Sequence, residues 1–182
     1  MVVVWLALAA FAHMGANSAA WAQKRLPAPV IGVVDVQSIM QNAEAAKHIR
    51  TQIQKAQSTF QQSLQGKNDE LKKLDQDLQQ QRNVLAPEAF QQRQRDFEQK
   101  VSDAQRDVQE RRGKLETAFS NAMQQVEAAV VQIVDQLAKE SGASLVVNKA
   151  AVLYSQGELD LTPEVLKRLN AKLPSVAVVV PK

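Results

Sequence analysis

The sequence predicts a mainly α protein with a small β head: a long antiparallel coiled-coil helical hairpin standing on a strand-rich body. Three observations carry this. Residues 37–141 contain only Gly66, Gly113 and Pro87 as helix breakers and are otherwise dominated by Gln, Lys, Arg, Glu, Asp and Ala. Within that stretch the apolar residues recur at alternating spacings of three and four. The β-branched runs, by contrast, lie at its two ends.

Taken in chain order, the first element is an export signal. Val2 to Ala12 is an unbroken apolar run, shorter than the ~20 residues that cross a bilayer, and it is followed by small residues and Ala20-Trp21-Ala22. Cleavage is expected between Ala22 and Gln23. The basic n-region is missing, since no Lys or Arg precedes Lys24. Residues 1–22 therefore read as a signal peptide and 23–29 as a linker, with a periplasmic destination and a soluble mature chain. The absence of cysteine suits such a compartment and excludes disulfides and thiolate chemistry.

Residues 30–36, rich in Val and Ile, read as a buried strand, and the hairpin follows over 37–141. Pro87 suits the first turn of a second helix, so the tip falls near 83–88. Ser141-Gly142 reads as the closing helix stop. Two helices of ~45 and ~55 residues result, roughly 70 and 80 Å long. The first seam runs through Ala46, Ile49, Ile53, Ala56, Phe60 and Leu64 to Leu71, Leu74, Leu78 and Leu85. The second runs through Phe90, Phe97, Val101, Ala104, Val108, Leu115, Phe119, Ala122, Val126 and Ala129. Each contains one stutter, at Phe60 and at Leu115. The register that sets Phe60 opposite Leu115 also sets Ile53 opposite Ala122, Leu74 opposite Val101 and Leu78 opposite Phe97. It places Lys67 against Val108, Arg111 against Leu64 and Gln81 against Gln94. Gly66 and Gly113 lie close to the stutters and are the candidate arm hinge. Arg82, Arg93 and Arg95 make the tip basic, a candidate contact for anionic lipid or an acidic client.

Residues 142–182 complete the head with 30–36. Leu145-Val146-Val147 and Ala151-Val152-Leu153-Tyr154 read as two further strands, joined at Asn148-Lys149-Ala150. Thr162 is placed to cap a short helix with Pro163 at its start, and Leu161 and Leu166 are spaced as a hydrophobic staple. The valine-rich tail after Ser175 is either another edge strand or a disordered end. A head of about 50 residues without disulfides or metal needs oligomerisation to be stable. The candidate assembly strands carry Val30, Ile31, Val33, Val34, Val146, Val147, Val152 and Leu153.

The inventory is poor for catalysis. Only two histidines are present, His13 and His48, and no phosphate-binding loop, nucleophile elbow or metal motif occurs. The sequence thus implies no enzyme, cofactor or metal. Aromatic residues are 4% of the chain, too few for stacking platforms, which with the export signal argues against nucleic acid as a partner despite a net charge of +3.

The order of these segments resembles the Skp (OmpH) family of periplasmic chaperones. The stretches that carry the resemblance are Ile31-Gly32-Val33-Val34-Asp35-Val36, Arg112-Gly113-Lys114-Leu115, Ser144-Leu145-Val146-Val147 and Ala151-Val152-Leu153-Tyr154, followed by Asp160-Leu161-Thr162-Pro163-Glu164-Val165-Leu166-Lys167. The resemblance implies a homotrimer with a strand-rich trimerisation body and three hairpin tentacles around a cavity. It also implies an ATP-independent holdase that keeps unfolded outer-membrane proteins soluble. The lipopolysaccharide site of some family members has no residue-by-residue match here, and lipopolysaccharide stands only beside anionic lipid as a candidate contact. The alternative is a scaffolding coiled-coil envelope protein that docks one folded partner.

Overall fold

The structure, a computed structural model, describes residues 27–181. The expected signal peptide, with its Ala22–Gln23 junction, lies outside the described residues, as does the start of the linker.

The β-branched run forms β1, Ile31–Val34, which pairs in parallel with β2, Leu145–Asn148, in the register Ile31 to Leu145. A parallel pair requires a crossover, and here the crossover is the entire helical excursion between the strands. The strand is shorter than the expected 30–36 because Asp35 ends it. The Asp35 carboxylate accepts from the Ser38 N–H at 2.8 Å and caps α1, Val36–Asn42.

The expected first long helix is divided. Ala43, extended at φ −58° and ψ 136°, separates α1 from α2, Glu44–Gln81. Neither Gly nor Pro marks the break. Tertiary partners hold it: the Asn170 side chain accepts from the Glu44 N–H at 2.9 Å, and Arg50 donates to the Met40 and Gln41 carbonyls at the end of α1. Ala43 is fully buried, so the corner needs a small apolar residue.

After a turn at 82–86, α3 runs over Pro87–Ser141 with Pro87 in its first turn and Glu88 beside it. It stops at Gly142, whose φ of 69° is open to glycine at little cost. Helices α2 and α3 lie antiparallel: Lys67 pairs with Asp107, next to the expected Val108, and tip residues of α2 share a cleft with residues 89–100.

The third expected strand does not form. Asn148 accepts from the Ala150 N–H, turning the chain into a 3-10 turn at Lys149–Ala151, and Val152 and Leu153 lie in no strand. The Asx turn offers the backbone a local alternative to a ladder. Among the described residues the sheet has only β1 and β2, with Val33 bridging Asp160 on the far side of β1. Gly32 lies under Leu161, where an added Cβ would sit 2.7 Å from Leu161 Cδ1.

Helix α4, Thr162–Lys172, closes the head. Its capping differs from expectation: the Thr162 hydroxyl accepts from the Asp35 N–H, and Asp160 accepts from the Thr162 N–H. One threonine thus ties α4 to the end of β1. Arg168 then clamps α4 to α3, with two 2.8 Å bonds to Glu140 and a third to Glu164. The core lies where the four helices meet, around Ile39, Ile49, Val126, Ile133, Val165 and Leu169. Outward of Ala118 no described residue of the arm is fully buried, because two helices can cover only one stripe of each other. Among the described residues no helix is long and apolar enough to cross a membrane.

Candidate functional site

Two surfaces stand out, one on the head and one along the arm. On the head, β2 has β1 on one side and, among the described residues, no strand on the other. Val30, Ile31 and Leu145 are exposed at the start of the paired strands. The segment after β2 adds Leu153, fully exposed, and Tyr154 at 82%. Val33 and Val34 are buried inside the chain's own core, so of the candidate assembly residues these two face inward. Val146 and Val147 are half-buried. An open edge beside large exposed apolar side chains is a surface built to be covered.

Along the arm the shared apolar stripe is visible from both sides. On one side Ile53, Phe60, Leu64, Leu115 and Phe119 line an open cleft, and on the other Ala56, Phe60 and Leu115 line a second. Phe60 and Leu115, the two stutter positions, are common to both. A third cleft near the tip has Leu74, Leu78 and Phe97 on its floor and Arg93 and Lys100 among its lining residues. All three are partly open to solvent with apolar and polar side chains in their linings, and the second is walled on one side by Val178, Val180 and Pro181 of the chain's own C-terminal segment.

The expected polar seam residues find specific partners. Asp107 accepts from Lys67 across the arm and from Arg111 on its own helix, and these two bonds hold its carboxyl down at about 2. Arg111, expected over Leu64, instead stacks on the Phe60 ring 5.7 Å from its centroid. Gln81 and Gln94 do not pair: Gln94 donates to Glu98, and the Gln81 side-chain oxygen is buried without a partner. At the head end, Arg168 lowers the carboxyls of Glu140 and Glu164, and its own pKa rises in return.

The candidate hinge glycines lie inside unbroken helices, and an added Cβ at Gly66 or Gly113 would meet no atom within 4 Å. Arg82, Arg93 and Arg95 are exposed near the turn, with Arg95 bonded to Gln92. His48 is exposed on α2. Among the described residues no cluster of His, Asp or Glu could hold a metal ion.

Sequence reasoning missed Asn170 as the cap of α2 and Gln52 as the anchor of the C-terminal tail. Neither carries a local signal. Asn170 lies in sequence far from the helix it caps, and Gln52 is one glutamine in a Gln-rich helix.

A two-helix arm rising from a small parallel-stranded head, with open troughs along the arm, defines the class of protein by its fold. Residues 30–169 match the model of the family described as outer membrane protein (OmpH-like), and the chain belongs to that family. The fold agrees with the crystal structure, at 2.83 Å resolution, of a protein from Caulobacter crescentus CB15 assigned as an OmpH-like outer membrane chaperone. The TM-score is 0.79 at 16% identity, covering 87% of this chain and 94% of that one. No curated protein matches the sequence.

Proposed function

We propose that this protein is an ATP-independent periplasmic holdase, which binds unfolded outer-membrane β-barrel proteins between its arms until they are inserted. The observation that carries the reading is the arm itself, whose apolar stripe opens into solvent-accessible troughs along most of its length. Family membership and the fold shared with an assigned outer membrane chaperone support it.

The physical logic is avidity. Unfolded barrel strands expose alternating apolar side chains and unpaired backbone, which aggregate. Several shallow troughs on tethered arms hold such a chain through many weak contacts, without a deep pocket. A homotrimer supplies the arms. The open β2 edge with Ile31, Leu145, Leu153 and Tyr154 is the surface that assembly would cover, since a two-stranded sheet alone is marginal. The basic tip at Arg82, Arg93 and Arg95 then serves as a secondary contact for acidic clients or anionic lipid, including lipopolysaccharide. Gly66 and Gly113 are the positions at which the arm would flex.

Sedimentation velocity on residues 23–182, mixed with a barrel protein diluted from urea, tests this. A soluble complex of one trimer and one client is expected. If the barrel pellets while the chain sediments unchanged, the holdase reading fails and a scaffold for a folded partner replaces it.

A further inference from the structure

The segment after α4 has no regular secondary structure, yet it is docked. Ser175–Pro181 runs out along the arm from the core, with Val176 only 5% exposed and Val178 packed against the core cluster. Gln52 of α2 holds it by its backbone. The Gln52 Nε2 donates to the Val176 carbonyl at 2.8 Å, and its Oε1 accepts from the Val178 N–H at 3.1 Å. A residue in a parallel ladder makes the same two bonds, to the carbonyl before and the N–H after its neighbour. One side-chain amide thus stands in for a strand.

Two further features describe what the site accepts. The tail alternates: Val176, Val178 and Val180 turn toward the arm, whereas Val179 is 76% exposed. Val178 and Val180 wall one side of a trough that also has Ala56, Phe60 and Leu115 in its lining, with Lys55, Arg111 and Lys114 around it. Contact also weakens outward, from Val176 at 5% exposed to Val180 at 39%. The outer end is therefore the part that can peel away while the inner end stays anchored.

We propose that the Gln52–Phe60–Leu115 trough is a docking site for extended, alternately apolar segments of unfolded barrel proteins, and that the tail is its built-in competitor. Backbone bonding from Gln52 admits any sequence, and the apolar floor selects an alternating one. The tail keeps the trough covered until a client strand displaces residues 178–181. This deepens the holdase reading and rests on it for the identity of the partner. The existence of the site does not depend on that reading.

The test uses a fluorescein-labelled peptide of residues 177–181 and a chain ending at Ala177, which keeps Val176 in the core. A full-length Val178→Pro/Val180→Ser variant gives a second route to an uncovered trough, and circular dichroism checks that each retains its helices. By fluorescence anisotropy, both uncovered forms should bind the peptide at least about tenfold more tightly than the intact chain does. Adding Gln52→Ala to the shortened chain, or N-methylating the peptide at the Val178 nitrogen, should each weaken binding by about tenfold, as expected for removing backbone hydrogen bonds. A barrel protein diluted from urea should displace the peptide. Equal binding by the intact and uncovered forms overturns the site, as does indifference to Gln52→Ala. A bound peptide that the barrel protein fails to displace, when the intact chain still keeps that protein soluble, overturns the client assignment. Loss of solubilisation by the intact chain counts against the holdase reading itself, and the peptide titration still decides the trough.

Discussion

Asp107 holds two cations at once, Lys67 from the facing helix and Arg111 from its own. Its folded pKa of about 2 lies below the ordinary 3.8, so its contribution to stability is full above roughly pH 4 and is lost as pH falls toward 2. The group is half-buried but still in reach of solvent, so salt screens the effect and its size is modest. Replacing Asp107 with Asn should flatten the pH dependence of Tm between pH 4 and 2, measured at low salt; an unchanged slope would remove Asp107 from the account. At Gly66 and Gly113 an added Cβ would point into open space. Gly66→Ala and Gly113→Ala should each stabilise the arm by about 1 kcal/mol, visible as a higher thermal midpoint, because Ala restricts the unfolded chain and fits a helix. If the pair is also a hinge, the double variant should lose affinity for barrel clients of one size more than another. Equal affinity for small and large clients would leave the glycines without that role.

Helix boundaries depend on which side chain reaches them. The start of α3 and its end are written locally, in Pro87-Glu88 and Ser141-Gly142. The start of α2 is not, because its cap comes from Asn170 on α4. Asn170→Ala should destabilise the protein by about 1 kcal/mol in denaturant unfolding, as other lost N-caps do. An unaltered full-length chain would show that the bond contributes nothing. Gly32 makes the corresponding point for the sheet. Gly32→Ala should lower Tm only slightly, since the added methyl would lie 2.7 Å from Leu161 Cδ1, the far end of a flexible side chain that can swing aside.

The head buries Ile39, Ile49 and Leu169 under four helices but leaves Ile31, Leu145, Leu153 and Tyr154 to solvent. That contrast predicts assembly through the open strand edge. Ile31→Lys with Leu145→Lys should give a monomer by sedimentation with helical content retained, since both residues lie outside the core. A variant that still sediments as the parent would place the interface elsewhere. Such a monomer should also protect clients poorly, because one arm offers few of the contacts on which avidity depends.

Local propensity and spacing were enough to specify the long helices, their turn at Pro87, the stop at Gly142 and the apolar stripe along the arm. Such features need only neighbours three or four residues apart. Tertiary structure decided the rest. It broke the first helix at Ala43, took the Thr162 hydroxyl away from its own helix, and turned the chain at Asn148 instead of extending Ala151–Tyr154 into a strand. It also laid the valine-rich tail against Gln52, more than a hundred residues earlier in the chain. In each of these cases a polar group from a distant segment satisfied a backbone donor or acceptor, or a local turn outcompeted a ladder that had no partner strand. Except at the local Asn148 turn, a backbone group here is satisfied by what the fold brings to it, and no pattern within a single segment records that partner.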